Sequence, residues 1–353
     1  MPNQEPFLHV SGISAAYDDK TTTVSNVSFG LREGELACLL GPSGCGKTTI
    51  LRAISGFQDL KSGYISLGGQ TLSGNGAYIS PEKRNVGMVF QDHALFPHLS
   101  ISENVAFGLK ALNGAEKKQR ITDSLALVGM QDHAKKYPHE LSGGQSQRIA
   151  LARAIAPQPK LLLMDEPFSN LDTALRETLG YEVRELLKEL NMTAIMVTHD
   201  QGDAFALGDH VGVMRAGELM QWDTSFNLYH APKNRFVANF IGDGIFVQGR
   251  RTDKNTVVTP FGEIHGQMLN TETLDCNVDL LIRPDDVTYN PKSDIRGKII
   301  RKAFKGAQTL YTIETSSKDH LMSLVPSHDD HEIGDNIGLS IEADHLVCFE
   351  RKK

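Results

Sequence analysis

The sequence of 353 residues is short of several things, and each shortage excludes a class of function. No apolar run approaches the roughly 20 residues needed to cross a bilayer. The longest, Leu36 to Leu40 and Leu161 to Met164, have the length of buried strands. The start, Met1-Pro2-Asn3-Gln4-Glu5, has neither the basic residues nor the apolar stretch of a secretory signal, so export of the chain is not expected. Basic residues are not in excess. Lysine and arginine number 36 against 43 acidic residues, a net charge of −7, which speaks against nucleic acid as a partner. Cysteine is scarce: Cys38, Cys45, Cys276 and Cys348 form no CxxC pair and no metal-ligand spacing, as suits a reducing compartment. Internal repeats and low-complexity tracts are also missing.

What is present reads as an α/β protein with a second domain, within the two to three domains that the length suggests. Short strands are expected at Phe7–Val10 and Thr23–Phe29. Continuous apolar runs follow at Leu36–Leu40, Val86–Phe90, Leu161–Met164 and Ala194–Val197, the pattern of strands covered on both faces. Between the last two, apolar residues from Leu175 to Leu190 recur at helical spacing. Strands alternating with helices imply a parallel sheet. From about 92 to 158 the texture is helical, with pieces expected at Ile101–Lys110 and Lys117–Val128. The expected division is 1–240 and 241–353, with glycines near Phe240-Ile241-Gly242-Asp243-Gly244 to support a hinge. The second part shows short alternating runs broken by Gly, Pro, Asn and Asp, as in a small all-β, OB-like domain.

Gly41-Pro42-Ser43-Gly44-Cys45-Gly46-Lys47-Thr48 fits GxxxxGK[ST], between an apolar run and a helical segment beginning at Thr49. At ordinary residue frequencies this spacing arises by accident in about one chain of this length per hundred. Glycines let backbone N–H groups face phosphate, Lys47 adds a charge, and the Thr48 hydroxyl can hold Mg²⁺. In a parallel sheet ligands bind beyond the carboxyl ends of strands. There the other runs lead into Gln91, Asp165-Glu166 and His199. Together these describe a nucleoside-triphosphate hydrolysis site. Asp165 is suited to the Mg²⁺ shell, Glu166 to the attacking water, Gln91 to metal or water, and His199 to the γ-phosphate. Ser142-Gly143-Gly144-Gln145 before a helix forms a second anion cradle without a lysine, as expected if two chains share nucleotide between them.

These motifs in this order, with LLLMDE and Ser169-Asn170-Leu171-Asp172, resemble the ATP-binding subunit of an ABC transporter over about residues 7–240. The resemblance implies a P-loop cassette with a parallel sheet core, an antiparallel β subdomain and a helical subdomain. It also implies ATP and Mg²⁺ as cofactors and a homodimer in which Ser142 to Gln145 meet the γ-phosphate held by the other copy. Asp172 is then at the interface and Tyr17 against adenine. Transmembrane permease subunits are implied at the helical subdomain, through Leu95–Leu99 and Glu103–Leu109, and a periplasmic substrate-binding protein indirectly. This places the chain at the cytoplasmic face of a bacterial inner membrane. Leu281-Ile282-Arg283-Pro284-Asp285-Asp286-Val287 resembles the regulatory β-domain of importer ATPases of the maltose, spermidine, sulfate and ferric-iron groups. Phe240–Gly244 and the short C-terminal region most resemble the ferric-iron group; polyamine, sulfate or sugar import is the alternative, and a non-transport ABC ATPase a further one. Two local expectations complete the reading. Cys45, beside Lys47 at a helix start, should have a lowered thiol pKa and be a site where alkylation blocks hydrolysis. Ser327 to Glu332, rich in His and Asp, reads as a hydrophilic loop rather than an iron sensor.

Overall fold

The computed structural model describes residues 5–16 and 22–351. The chain divides into two compact units, 1–225 and 226–353.

The first unit opens with β1 (Leu8–Ala16) and β2 (Thr22–Leu31), an antiparallel pair whose Leu8, Val10, Ile13, Val24 and Val27 are buried. β3 (Leu36–Leu40) is buried at every position, as its unbroken apolar run requires. It leads through the glycine-rich loop into α1 (Lys47–Ser55). β4 (Ser62–Leu67), β5 (Gln70–Gly74) and β6 (Ala77–Tyr78) extend the first pair into a sheet of order β2-β1-β4-β5-β6. Serines and glycines interrupt the apolar alternation of 62–78, so the sequence pattern did not announce these strands. β7 (Val86–Val89) returns to the main sheet.

The helical segment holds α2 (Ile101–Ala106), α3 (Gly114–Leu127) and α4 (Gly143–Ile155). Ser100 and Glu103 form a capping box that fixes the start of α2. The helix stops at Ala106, four residues short of expectation, just before Gly108. A Cβ there would lie 2.8 Å from the Pro157 ring. Then come β8 (Leu161–Asp165), α5 (Thr173–Glu189), β9 (Thr193–Thr198), α6 (Gln201–Leu207), β10 (His210–Arg215) and β11 (Glu218–Asp223). The main sheet has order β11-β10-β3-β9-β8-β7, parallel except for β11 at its edge. One core joins both sheets through Leu8, Val10, Leu39, Ile50, Ile54, Ile65, Leu163 and Val197.

The second unit begins with α7 (Ser225–His230) and α8 (Arg235–Ile241) and is otherwise all β. Its strands are β12 (Ile245–Arg251), β13 (Thr256–Thr259), β14 (Gly262–His265), β15 (Gln267–Leu269), β16 (Asn277–Ile282) and β17 (Val287–Tyr289). They continue with β18 (Arg296–Phe304), β19 (Gln308–Thr315), β20 (His320–Pro326), β21 (Asn336–Ile341) and β22 (His345–Glu350). Two sheets, β14-β13-β12-β16-β22-β15 and β17-β21-β18-β19-β20, share a core that includes Val247, Val278, Leu280, Ile299, Tyr311, Ile313 and Leu339. The glycines near residue 241 do not form the expected hinge. Gly242 packs against Tyr229, where a Cβ would come within 2.7 Å, and the carbonyls of Ala238, Gly242 and Asp243 all accept from the buried Arg283 guanidinium. The loop after β20 is tied down by side chains. Asp330 pairs with Lys302 at 2.6 Å, and the His331 ring lies against Tyr289 and Tyr311. Among the described residues no group of three or more His, Cys, Asp or Glu is arranged to hold a metal ion.

Candidate active site

Because β3, β9, β8 and β7 run parallel and adjacent, their carboxyl ends share one edge. The glycine-rich loop leaves β3 there, His199 follows β9, Asp165 ends β8 with Glu166 next, and Gln91 stands two residues beyond β7. The convergence expected from strand ends alone is therefore present in the fold.

Within the loop, Gly41 is packed so that a Cβ would meet the Met214 carbonyl oxygen at 2.4 Å. Gly46 adopts φ 102° as the N-cap of α1, a conformation that side chains disfavour. Pro42, Ser43 and Gly44 are exposed, whereas Lys47 and Thr49 are buried. The Lys47 ammonium donates to the Gly41 and Pro42 carbonyls at 2.7 and 3.0 Å, so the loop's one cation is held over its own backbone. Thr48 Oγ1 donates to Asp165 Oδ1 at 3.0 Å, joining the start of α1 to the end of β8. Burial raises the Asp165 carboxyl above the usual aspartate range, with Glu166 adding to the rise and the Thr48 bond opposing it.

Cys45 departs from expectation. Its thiol lies 3.8 Å from the Lys47 ammonium, yet burial dominates and pushes its pKa up rather than down. The side chain is only 4% exposed, lies within the hydrophobic core and has its sulfur against the backbone at Gly41.

Glu166 and His199 face one another, with Oε2 and Nδ1 at 3.1 Å and both side chains partly open to solvent. Glu166 has φ 45°, left-handed backbone in a non-glycine residue. The turn after it is closed by Ser169, whose hydroxyl and backbone N–H both donate to the Glu166 carbonyl. Asn170 donates its amide to the Gln91 carbonyl at 3.2 Å, and the Gln91 side chain is exposed.

The second cradle lies at the start of α4. Ser142 is the N-cap, its hydroxyl accepting from the Gln145 N–H while Gln145 Oε1 accepts from the Ser142 N–H. Gly143 is exposed and Gly144 is packed under Leu175 and Leu179. Asp172 caps α5 through Leu175 N–H at 3.1 Å. Tyr17 lies outside the described residues.

Two arginines that sequence reasoning missed support these parts. Arg84, 2% exposed, donates to the carbonyls of Ala53 and Ile54 at the end of α1, to Ile79 and to the Ser73 hydroxyl. Arg176, on α5, reaches Asp200 beside His199 and the Ser169 carbonyl. Neither sits in a recognisable motif.

Comparison with known proteins places this geometry. Residues 24–169 match the family model described as ABC transporter, and residues 280–349 match the TOBE domain. A relative from Thermobifida fusca, the spermidine/putrescine import ATP-binding protein PotA, is 37% identical over 359 residues, covering 96% of this chain and 92% of its own. The chain belongs to the ABC transporter ATP-binding proteins. Among its relatives, the Fe(3+) ions import ATP-binding protein FbpC 2 of Pectobacterium atrosepticum is 37% identical, covering 95% of this chain and 97% of its own. A PotA protein of Pseudomonas fluorescens is 42% identical over 86% of each chain. Of solved structures, cbiO1 of Clostridium perfringens, part of the ABC transporter complex cbiONQ, aligns with TM-score 0.59 and 28% identity, over 67% of this chain and 93% of that one. A dimeric post-hydrolysis ATP-binding cassette bound to ADP and Pi aligns with TM-score 0.54 and 29% identity, over 62% of this chain and 98% of that one. This ABC ATPase thus joins a cassette to an all-β TOBE domain. Among its described residues no helix is long and apolar enough to cross a membrane.

Proposed function

We propose that two copies of this chain hydrolyse ATP between them and drive import through a membrane-spanning permease, with ferric iron as the cargo. One observation carries the hydrolytic reading: the lysine loop, the Thr48–Asp165 pair and the Glu166–His199 pair meet at one edge of four adjacent parallel strands.

In this reading the backbone N–H groups of residues 43–49 and the Lys47 ammonium bind the phosphates of ATP. Thr48, Asp165 and Gln91 would hold Mg²⁺. A hydroxyl, a carboxylate and an amide oxygen are the hard donors that ion prefers, and the first two already converge at 3.0 Å. Bound there, the ion would neutralise charge on the phosphate oxygens. Glu166 accepts a proton from the attacking water, and its left-handed backbone aims the carboxylate from the turn. With Nδ1 turned to Glu166, Nε2 of His199 is left for the γ-phosphate. Ser142, Gly143, Gly144 and Gln145 of one copy cover the γ-phosphate held by the other, with Asp172 beside them and Tyr17 against adenine. The first unit carries this chemistry, with about 92–158 docking on the permease, and the second unit regulates it. The assembly includes a periplasmic substrate-binding protein, and the chain sits peripherally at the cytoplasmic face of the inner membrane.

Replacing Glu166 by Gln is expected to lower ATP turnover at least about a hundredfold; undiminished turnover would falsify hydrolysis at this site. The cargo reading has support from the Phe240–Gly244 stretch and from the Pectobacterium relative. A second cargo, a polyamine, is favoured by the Pseudomonas relative at 42% identity. Uptake of labelled ferric iron and of labelled spermidine, compared in cells with and without this chain, separates them. Iron uptake that does not depend on the chain removes the first reading.

A further inference from the structure

We propose that Arg176 is a positioning residue for hydrolysis, holding Glu166 and His199 in register through the two turns that carry them. The inference rests on the hydrolytic reading above. Arg176 lies on α5, off the strand edge that carries the other site residues. Its guanidinium forks. Nη1 donates to Asp200 Oδ2 at 3.1 Å, and Nη2 reaches the Ser169 carbonyl at 3.5 Å.

Each prong ends next to one member of the catalytic pair. Ser169 donates its hydroxyl to the Glu166 carbonyl at 3.0 Å, closing the turn that Glu166 opens. Asp200 follows His199 directly, and its other oxygen caps α6 by accepting from Asp203 N–H at 3.1 Å. Since Glu166 and His199 themselves meet at 3.1 Å, the five residues form a closed ring: Arg176, Ser169, Glu166, His199, Asp200. The ring needs an outside tie because one of its members is strained. Glu166 has φ 45°, and such backbone persists in a non-glycine residue only where its surroundings hold it. Arginine suits the tie, since a planar fork fixes two acceptors at a set separation where an ammonium would hold one.

The Arg176 and Asp200 side chains are 20% and 39% exposed. Ion pairs this open contribute little to folding stability. Displacement of reacting groups by a fraction of an ångström, by contrast, is costly in rate. Loss of the tie is therefore read in turnover before it is read in melting.

The test uses the full chain with Arg176→Met, which keeps the aliphatic stem, Arg176→Lys, and Asp200→Asn, which keeps the cap on α6. Measured quantities are kcat and KM for MgATP, binding of a fluorescent ATP analogue, and the melting temperature. Arg176→Met is expected to lower kcat by roughly ten- to a hundredfold, with KM and analogue binding within twofold of the parent. Arg176→Lys should recover part of the rate. The double variant Arg176→Met/Asp200→Asn should cost little more than Arg176→Met alone, since both cut the same ring. A kcat for Arg176→Met within twofold of the parent overturns the proposal. So does a fall in kcat matched by falls in analogue binding and melting temperature, which marks a merely structural arginine. Glu166→Gln is measured alongside. If it retains turnover the hydrolytic reading itself fails, whereas an inactive Glu166→Gln beside a fully active Arg176→Met defeats only this inference.

Discussion

Cys45 and Lys47 show how a residue's neighbours in sequence can mislead about its chemistry. The thiol has an ammonium 3.8 Å away and a helix beginning just beyond it, both of which favour thiolate. Burial outweighs them, because the sulfur faces packed backbone and the thiolate would lose its hydration. At neutral pH the native thiol is accordingly expected to react with N-ethylmaleimide roughly tenfold more slowly than the same cysteine in an unstructured peptide. Labelling rates followed by mass spectrometry check this, and equal rates would refute it. Glu166 gives the complementary case. Its acidic side chain was legible as a candidate from its place after an apolar run, but its left-handed backbone was not. That conformation follows from the turn closed by Ser169.

At the scale of elements, the buried strands were the most legible part of the sequence. Leu36–Leu40 coincides with β3, and the three other apolar runs fall on β7, β8 and β9, since a strand covered on both faces has no polar positions to blur it. The strands of 62–78 were not legible, because half their faces are open and their turns are glycine-rich. The end of α1 depends on a residue far along the chain. The Gly56 N–H and the Arg84 guanidinium donate to its last carbonyls, and Arg84→Met would leave buried acceptors unpaired. The expected cost is about 2–4 kcal/mol, read from urea unfolding, with a change below 1 kcal/mol contradicting it. In the second unit, the short turn after β16 carries Asp286, whose carboxyl burial pushes up to about 6, aided by Asp285. In an unfolded chain it titrates near pH 4. The fold thus favours its protonated form: this contribution is complete below about pH 4 and is lost as pH rises to about 6. Asp286→Asn keeps an acceptor for the Arg283 N–H at lower desolvation cost. It is expected to raise stability by about 1–3 kcal/mol at pH 8 and by nothing at pH 4. Melting curves at the two pH values decide, and an equal gain at both would rule out the titration.

At the scale of the whole molecule, two helix starts matter to the proposed pairing of copies. The lysine loop starts α1 and the lysine-free cradle starts α4, so the two halves proposed for a phosphate site stand on different elements of one chain. If two copies complete each other's sites, an enzyme that binds ATP without hydrolysing it should stay paired. Glu166→Gln is expected to elute near twice its 38.8 kDa mass with ATP and as a monomer with ADP, by light scattering after gel filtration. A monomer under both conditions would count against the shared site. The division of the chain also changed at this scale. The second compact unit starts at residue 226 rather than 241, because α7 and α8 are gathered onto the β-domain by Arg283, whose guanidinium donates to the Tyr229, Ala238, Gly242 and Asp243 carbonyls together.

Local chemistry is what the sequence by itself determined. Glycines that let backbone face phosphate, unbroken apolar strands and the polar residues that end them are each written within a few neighbouring positions. They sufficed for the cassette, for the strand edge where its groups meet, and for Glu166, His199, Thr48 and Asp165 as candidates. Only the tertiary structure decided what depends on distance. It shows a thiol buried rather than activated, a glycine segment packed under Tyr229 rather than hinged, and two arginines, Arg84 and Arg176, closing contacts with residues 24 to 31 positions away. Desolvation and side-chain reach belong to folded space, and no pattern of adjacent residues encodes them.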